Sequence, residues 1–176
     1  MGVISHLLHP HPDIDPIELT SPLKAAIVFS PWVNLDMKSG SVLENQMQDP
    51  VSPQIMRTWA QDYLGLTPLD YYNQPSIAPY EWWRGIPVKH LLITGAAREM
   101  LADDLIRFSE MMKVLILGCT TSMGRIANPF DQTMHESTTV FFAANDFHAQ
   151  PVIGREMYVG EGEQGDMIRE WILTQV

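Results

Sequence analysis

With 176 residues, 45% of them hydrophobic, the chain can form one domain with a packed core, and a disordered chain is excluded. The net charge of −10, with 11 scattered basic residues, argues against a nucleic-acid-binding face and against attraction to anionic lipid. Cys119 is the only cysteine, which excludes an internal disulfide and a thiolate metal cluster and fits a reducing, intracellular compartment.

No apolar run is long enough to span a membrane, so membrane association is not indicated, and Met1 to His11 lacks the basic start of a secretory signal. Val3, Ile4, Leu7 and Leu8 recur at helical spacing, so the chain opens on an amphipathic helix over Val3 to His9. His9-Pro10-His11-Pro12 stops it. An H-x-H pair such as His9 and His11 can bind metal, but no acid or cysteine stands at matching spacing, and a plain turn is preferred. A Pro-rich loop to Pro22 then leads to a candidate buried strand at about Ala25 to Phe29, ended by Ser30-Pro31-Trp32.

From Asp49 to Pro87 the character changes. Pro53 marks a helix start, Ile55, Met56, Trp59, Tyr63 and Leu64 follow along one face, and a run dense in Pro, Tyr, Trp and Asn comes after. Residues 49–87 therefore read as a helical, aromatic insertion over the sheet. Trp59, Tyr63, Trp82 and Trp83 are its candidate substrate-binding residues, because aromatic side chains supply broad apolar contact. A cluster that only closes the core beneath a long loop fits the same pattern equally well.

Val88 and Leu91 to Thr94 form an apolar, partly β-branched run that reads as a strand over Lys89 to Thr94, covered on both faces and ended by Gly95. Beyond the turn, Leu101, Leu105, Phe108 and Met112 make one stripe of an amphipathic helix. Glu99, Asp103 and Asp104 stand at the join, where ligands gather in open α/β sheets. For Asp103 and Asp104, capping the helix is the preferred reading; Glu99 lies upstream of the stripe, which weakens that reading for it.

Val114 to Leu117 reads either as a short strand or as more of that helix, and residues 114–136 as an irregular insertion. Thr138 to Phe142 is a third strand, His148 follows it in a loop, and Asp166 is the expected N-cap of a last helix that turns Ile168, Trp171 and Ile172 to the sheet. Strand and helix alternate, so the fold class is α/β with a mainly parallel sheet and helices on both faces. An acid after one strand and a histidine after the next is the second half of a Ser, Asp/Glu, His order.

Ser30-Pro31-Trp32-Val33-Asn34-Leu35, Gly95-Ala96-Ala97-Arg98-Glu99-Met100-Leu101-Ala102-Asp103-Asp104 and Asp146-Phe147-His148 together resemble the α/β-hydrolase family, in its hormone-sensitive-lipase-like branch of esterases and steryl acetyl hydrolases. The resemblance covers nearly all of the chain except residues 114–136. In that family the first acid of an acid-x-x-x-Asp-Asp/Glu pattern orients the catalytic histidine, and the position falls on Glu99, with Asp103 as the rival acid. His148 matches the general base. The family more often has Asp at the first position; Glu serves because the role needs only a carboxylate that accepts the imidazole N–H.

The family's G-x-S-x-G elbow and its upstream glycine-rich oxyanion loop have no counterpart in these residues. Because the opening helix is similar to the one that follows the elbow, the expectation is a single incomplete domain over 1–176, the C-terminal portion of a hydrolase, with one sheet edge uncovered. The resemblance implies hydrolysis of acyl or acetyl esters of apolar alcohols, a small apolar ester substrate, no cofactor and no metal, the serine coming from sequence outside these residues. The other class kept open is a non-catalytic pseudoenzyme or binding module that retains the pocket wall from Trp59 to Trp83. If Glu99 is the orienter, neighbouring strands should bring its carboxylate within about 2.6 to 3.2 Å of a ring nitrogen of His148, with Asp103 further away; the competing outcome is Asp103 nearest the ring, with Glu99 turned to solvent or capping the helix.

Overall fold

A computed structural model describes residues 1–117, 137–154 and 156–175. Among them, three parallel strands form one sheet in sequence order: β1 (Leu23–Phe29), β2 (Val88–Ala96) and β3 (Ser137–Ala143). These contain the three expected strands, each extended by a residue or more. Gly95 does not end β2, because it pairs with Phe142 and Ala96 with Ala143, so the ladder with β3 carries the strand past it. The irregular segment expected over 114–136 lies, from residue 118, outside the described residues; residues 114–117 continue the helix before it.

The helices are α1 (Gly2–Leu8), α2 (Gly40–Asn45), α3 (Pro53–Leu64), α4 (Ala102–Leu117), α5 (Gln150–Ile153) and α6 (Gly162–Gln175), with 3₁₀ turns at Pro75–Ile77 and Tyr80–Trp83. None of the described helices is long and apolar enough to cross a membrane. The alternation of side chains along β2 divides the core between two faces. Leu91 and Ile93 point to one, packed with Leu105, Phe108 and Met112 of α4 and Ile4 of α1. Thr94 faces the other, where Gln164 of α6 reaches it, and Trp171 of α6 bonds Thr139 on β3.

The stripe expected on this helix is the one buried: Leu101, just before α4, and Leu105, Phe108 and Met112 within it are all nearly inaccessible, each worth on the order of 1.5–3 kcal/mol of apolar burial. On α6, Trp171 is buried as expected, whereas Ile172 stays half exposed. Asp166 is not the N-cap of α6, which begins at Gly162. The cap comes from Asp146 in the loop after β3, whose carboxylate accepts from the N–H groups of Glu163 and Gln164.

The 49–87 segment departs from a helix lying on the sheet. Ser52 caps α3 by accepting from Ile55 N–H, and α3 packs through Met56 on a small second cluster with Met37, Val42, Met100 and Leu101. Ile55, Trp59 and Tyr63, expected on the buried face, are exposed, because so small a contact is filled by Met56 and Ala60 alone. Among the described residues β1 and β3 are the outer strands of the sheet, and on β1 Leu23 and Ile27 are each 38% exposed although both are apolar strand residues.

Candidate active site

The parallel register brings the ends of β2 and β3 level. Ala96 pairs with Ala143, and Ala97 N–H donates to Ala143 O at 2.8 Å, so the two following loops leave the sheet side by side. The first loop carries Glu99 and the second His148.

Glu99 is fully buried, and its carboxylate is held from two sides. Oε1 accepts the N–H of Ala96 at 3.2 Å, and Oε2 lies 2.9 Å from Nδ1 of His148. Gly95 makes room for this: a Cβ there would stand 2.8 Å from Glu99 Oε1 and 2.4 Å from Leu105 Cδ2. A carboxylate can only accept, so Nδ1 carries the hydrogen of this bond and, in the neutral ring, Nε2 is the basic nitrogen. His148 is partly buried, its side chain 22% exposed. Burial alone would lower its pKa. The Glu99 hydrogen bond, the Glu99 charge and the charge of Asp49 together outweigh burial and hold it above the ordinary 6.5.

The loop bearing His148 is pinned on both sides. Asp146 caps α6, and Ala149 adopts a left-handed conformation (φ 55°, ψ 27°) that starts α5, with Val152 and Ile153 N–H donating to its carbonyl. Such a φ costs a non-glycine residue roughly 1–2 kcal/mol, and a small side chain meets that conformation with least crowding.

The other two acids of the turn have different partners. Asp103 Oδ2 accepts the N–H of Ser41 at 2.9 Å, at the start of α2. Asp104 Oδ1 accepts from Asn34 Nδ2 at 3.1 Å and faces Arg107. Asp103, the rival acid, is thus engaged with α2, and Glu99 is the acid bonded to His148.

The four candidate aromatic residues are not brought together. Trp83 is 1% exposed and stacks edge-on against Phe108 in the main core. Trp82 packs against His9 and Tyr71 and donates its N–H to Ser5 Oγ. Trp59 projects from α3 into solvent. Tyr63 alone of the four lines a cleft of about 570 Å³, with Val3, His6, Ile14 and Ile17, and His148 is not among the residues lining it. The aromatic segment closes the core beside α1 and α4. His9 Nε2 is likewise engaged, with Trp82 O at 2.8 Å, and among the described residues no group of three His, Cys, Asp or Glu side chains is arranged to hold a metal ion.

Three polar residues around the pair carry no role in the sequence pattern: Asp146 stands there only as part of Asp146-Phe147-His148, Asp49 only as the boundary of the 49–87 insertion, and Asn45 has no pattern around it. Asp49-Pro50 does carry a local signal, since Asp49 Oδ1 accepts Val51 N–H in an Asx turn, but nothing local points to Met100, whose N–H Asp49 Oδ2 also accepts.

No family model matches the chain, and no curated protein matches it. Solved structures do. An esterase from the bacterial hormone-sensitive lipase family superposes with a TM-score of 0.65 at 19% identity, over 98% of this chain and 49% of that one. A hormone-sensitive lipase from a metagenome library gives 0.68 at 17% identity, over 99% and 51%. An esterase/lipase from an uncultured bacterium gives 0.58 at 20% identity, over 96% and 48%. The chain spans about half the length of the solved structures it matches. At these identities the likeness is one of fold, that of a partial α/β hydrolase, as the sequence motifs led one to expect.

Proposed function

We propose that this chain carries the acid–histidine part of a serine ester hydrolase that acts on acyl or acetyl esters of apolar alcohols. The observation that supports this reading is the buried Glu99 carboxylate 2.9 Å from His148 Nδ1, at the C-terminal ends of adjacent parallel strands. In that role His148 Nε2 takes the proton of a serine hydroxyl as its oxygen attacks the ester carbonyl. The same nitrogen then returns the proton to the departing alcohol. Glu99 keeps Nδ1 protonated and stabilises the imidazolium between the two steps. The esterase neighbours favour the same chemistry by analogy of fold.

The serine is assigned to sequence outside these 176 residues, which hold no G-x-S-x-G. That same observation favours, for the chain taken alone, the second reading: a binding module without turnover. Assayed by itself on a short-chain p-nitrophenyl ester, the chain is expected to show little or no hydrolysis, since each missing oxyanion donor costs on the order of 100-fold. Joined to the coding sequence upstream of Met1, provided that sequence holds an in-frame G-x-S-x-G, it is expected to hydrolyse the ester and to lose activity in H148A. An upstream sequence without that motif, or a joined product indifferent to H148A, would overturn the proposal.

A further inference from the structure

We infer that Asn45 and Asp49 are positioning residues for the Glu99–His148 pair, Asn45 by clamping the turn that bears Glu99 and Asp49 by holding the N–H of Met100 directly after it. The inference rests on the reading of Glu99 as the acid that orients His148, and it adds the device that keeps that acid in place.

The turn between β2 and α4 contains no glycine after Gly95 and is tied down from outside. Asn45, the last residue of α2, donates from Nδ2 to Ala97 O at 3.0 Å and to Glu99 O at 2.9 Å. Asp49 Oδ2 accepts the N–H of Met100 at 2.9 Å, while its Oδ1 accepts Val51 N–H. Glu99 thus has its own carbonyl held by one residue and the following N–H by another. Ser41, at the start of α2, donates to Met100 O at 2.8 Å, so both ends of this short segment grip the same turn. These bonds join residues 51 to 59 positions apart, so the grip depends on the folded arrangement of the segment.

Asp49 does more than fix backbone. It is nearly buried, and its charge favours the protonated form of His148 alongside that of Glu99. The groups acting on the imidazole from the packed elements are Glu99 from the β2–α4 turn and Asp49 from the α2–α3 connection. Asp146, two residues from His148, is occupied with the N-terminus of α6. A single carboxylate would orient the ring. The charge of a second carboxylate adds to how strongly the ring holds a proton without bonding it.

The test is the titration of His148 followed by NMR in the intact 176-residue chain, with near-ultraviolet circular dichroism as the check of folding. Asp49→Asn keeps one oxygen for the Met100 N–H but removes the charge and the second oxygen, which accepts Val51 N–H; the His148 midpoint is expected to fall, by less than in Glu99→Gln. Asn45→Ala, at a half-buried site, is expected to lower the midpoint as well by loosening the turn. A normal fall in Glu99→Gln with no change in either Asp49→Asn or Asn45→Ala would overturn the inference and leave the pair intact. An unmoved midpoint in Glu99→Gln would instead defeat the reading of the pair itself. Should Asp49→Asn fail to fold, Asn45→Ala decides.

Discussion

Gly95→Ala is the perturbation that most directly joins the core to the pair. Gly95 sits within β2 in ordinary extended backbone, so an added methyl costs nothing in φ; the cost is contact. The new Cβ would lie 2.4 Å from Leu105 Cδ2, 2.8 Å from Glu99 Oε1 and 3.0 Å from Phe142 Cε1. Leu105 is fully buried and cannot swing into solvent, and the ladder to Phe142 holds the strand in place. Overpacking of this kind costs about 1–3 kcal/mol, and at about 2–4 °C per kcal/mol for a domain of this size the melting temperature should fall by roughly 2–12 °C. The Glu99 carboxylate must also move, weakening its bond to Nδ1, so the His148 pKa should drop. Thermal unfolding by circular dichroism reads the first effect and NMR titration the second. Gly85→Ala is the control: its φ of +72° costs roughly 1–2 kcal/mol, but nothing lies within 4 Å, so His148 should titrate as in the parent chain. Lost stability with an unmoved titration in Gly95→Ala would refute the coupling to Glu99, and a melting temperature equal to the parent's would refute the packing argument altogether.

Further outcomes follow from the same geometry. Because the folded-state pKa of His148 is raised, its protonation stabilises the fold; that contribution is complete below about pH 6.5 and is lost as pH rises through the folded value. The stability difference between the parent chain and His148→Gln should therefore shrink as buffers are taken from mildly acidic to alkaline, and a difference that grows would contradict the sign. Asp146→Ala removes the carboxylate that accepts from the N–H groups of Glu163 and Gln164 in the first turn of α6 and is expected to cost about 0.5–2 kcal/mol. It should also broaden the His148 resonance, since the capped aspartate anchors that loop; a lower melting temperature with an unchanged resonance would separate the cap from the site.

The elements whose burial repeats along the chain were legible in the order of residues alone. Ile27 to Phe29, Leu91 to Thr94 and Val140 to Phe142 are runs of strand-forming residues, and each lies in a strand; Leu101, Leu105, Phe108 and Met112 keep helical spacing, and each is buried. Glu99 and His148 were legible for a related reason, because both follow strand ends and their residue types match a known motif. Whatever joins distant segments is set by packing in three dimensions. No local pattern tells Asp146 to cap a helix 17 residues on, Asp49 to hold the N–H of Met100, or Asp103 to bond α2 rather than His148. The aromatic run from Trp59 to Trp83 carried no directional signal either. Its residues are apolar enough for a pocket or for a core, and the choice fell to the space left between α1 and α4, which Trp83 fills. Periodicity records which face of an element is buried, and it is a property of neighbours in sequence. Hydrogen-bond partners and cavity shape are properties of neighbours in space, which exist only once the sheet has brought its loops together.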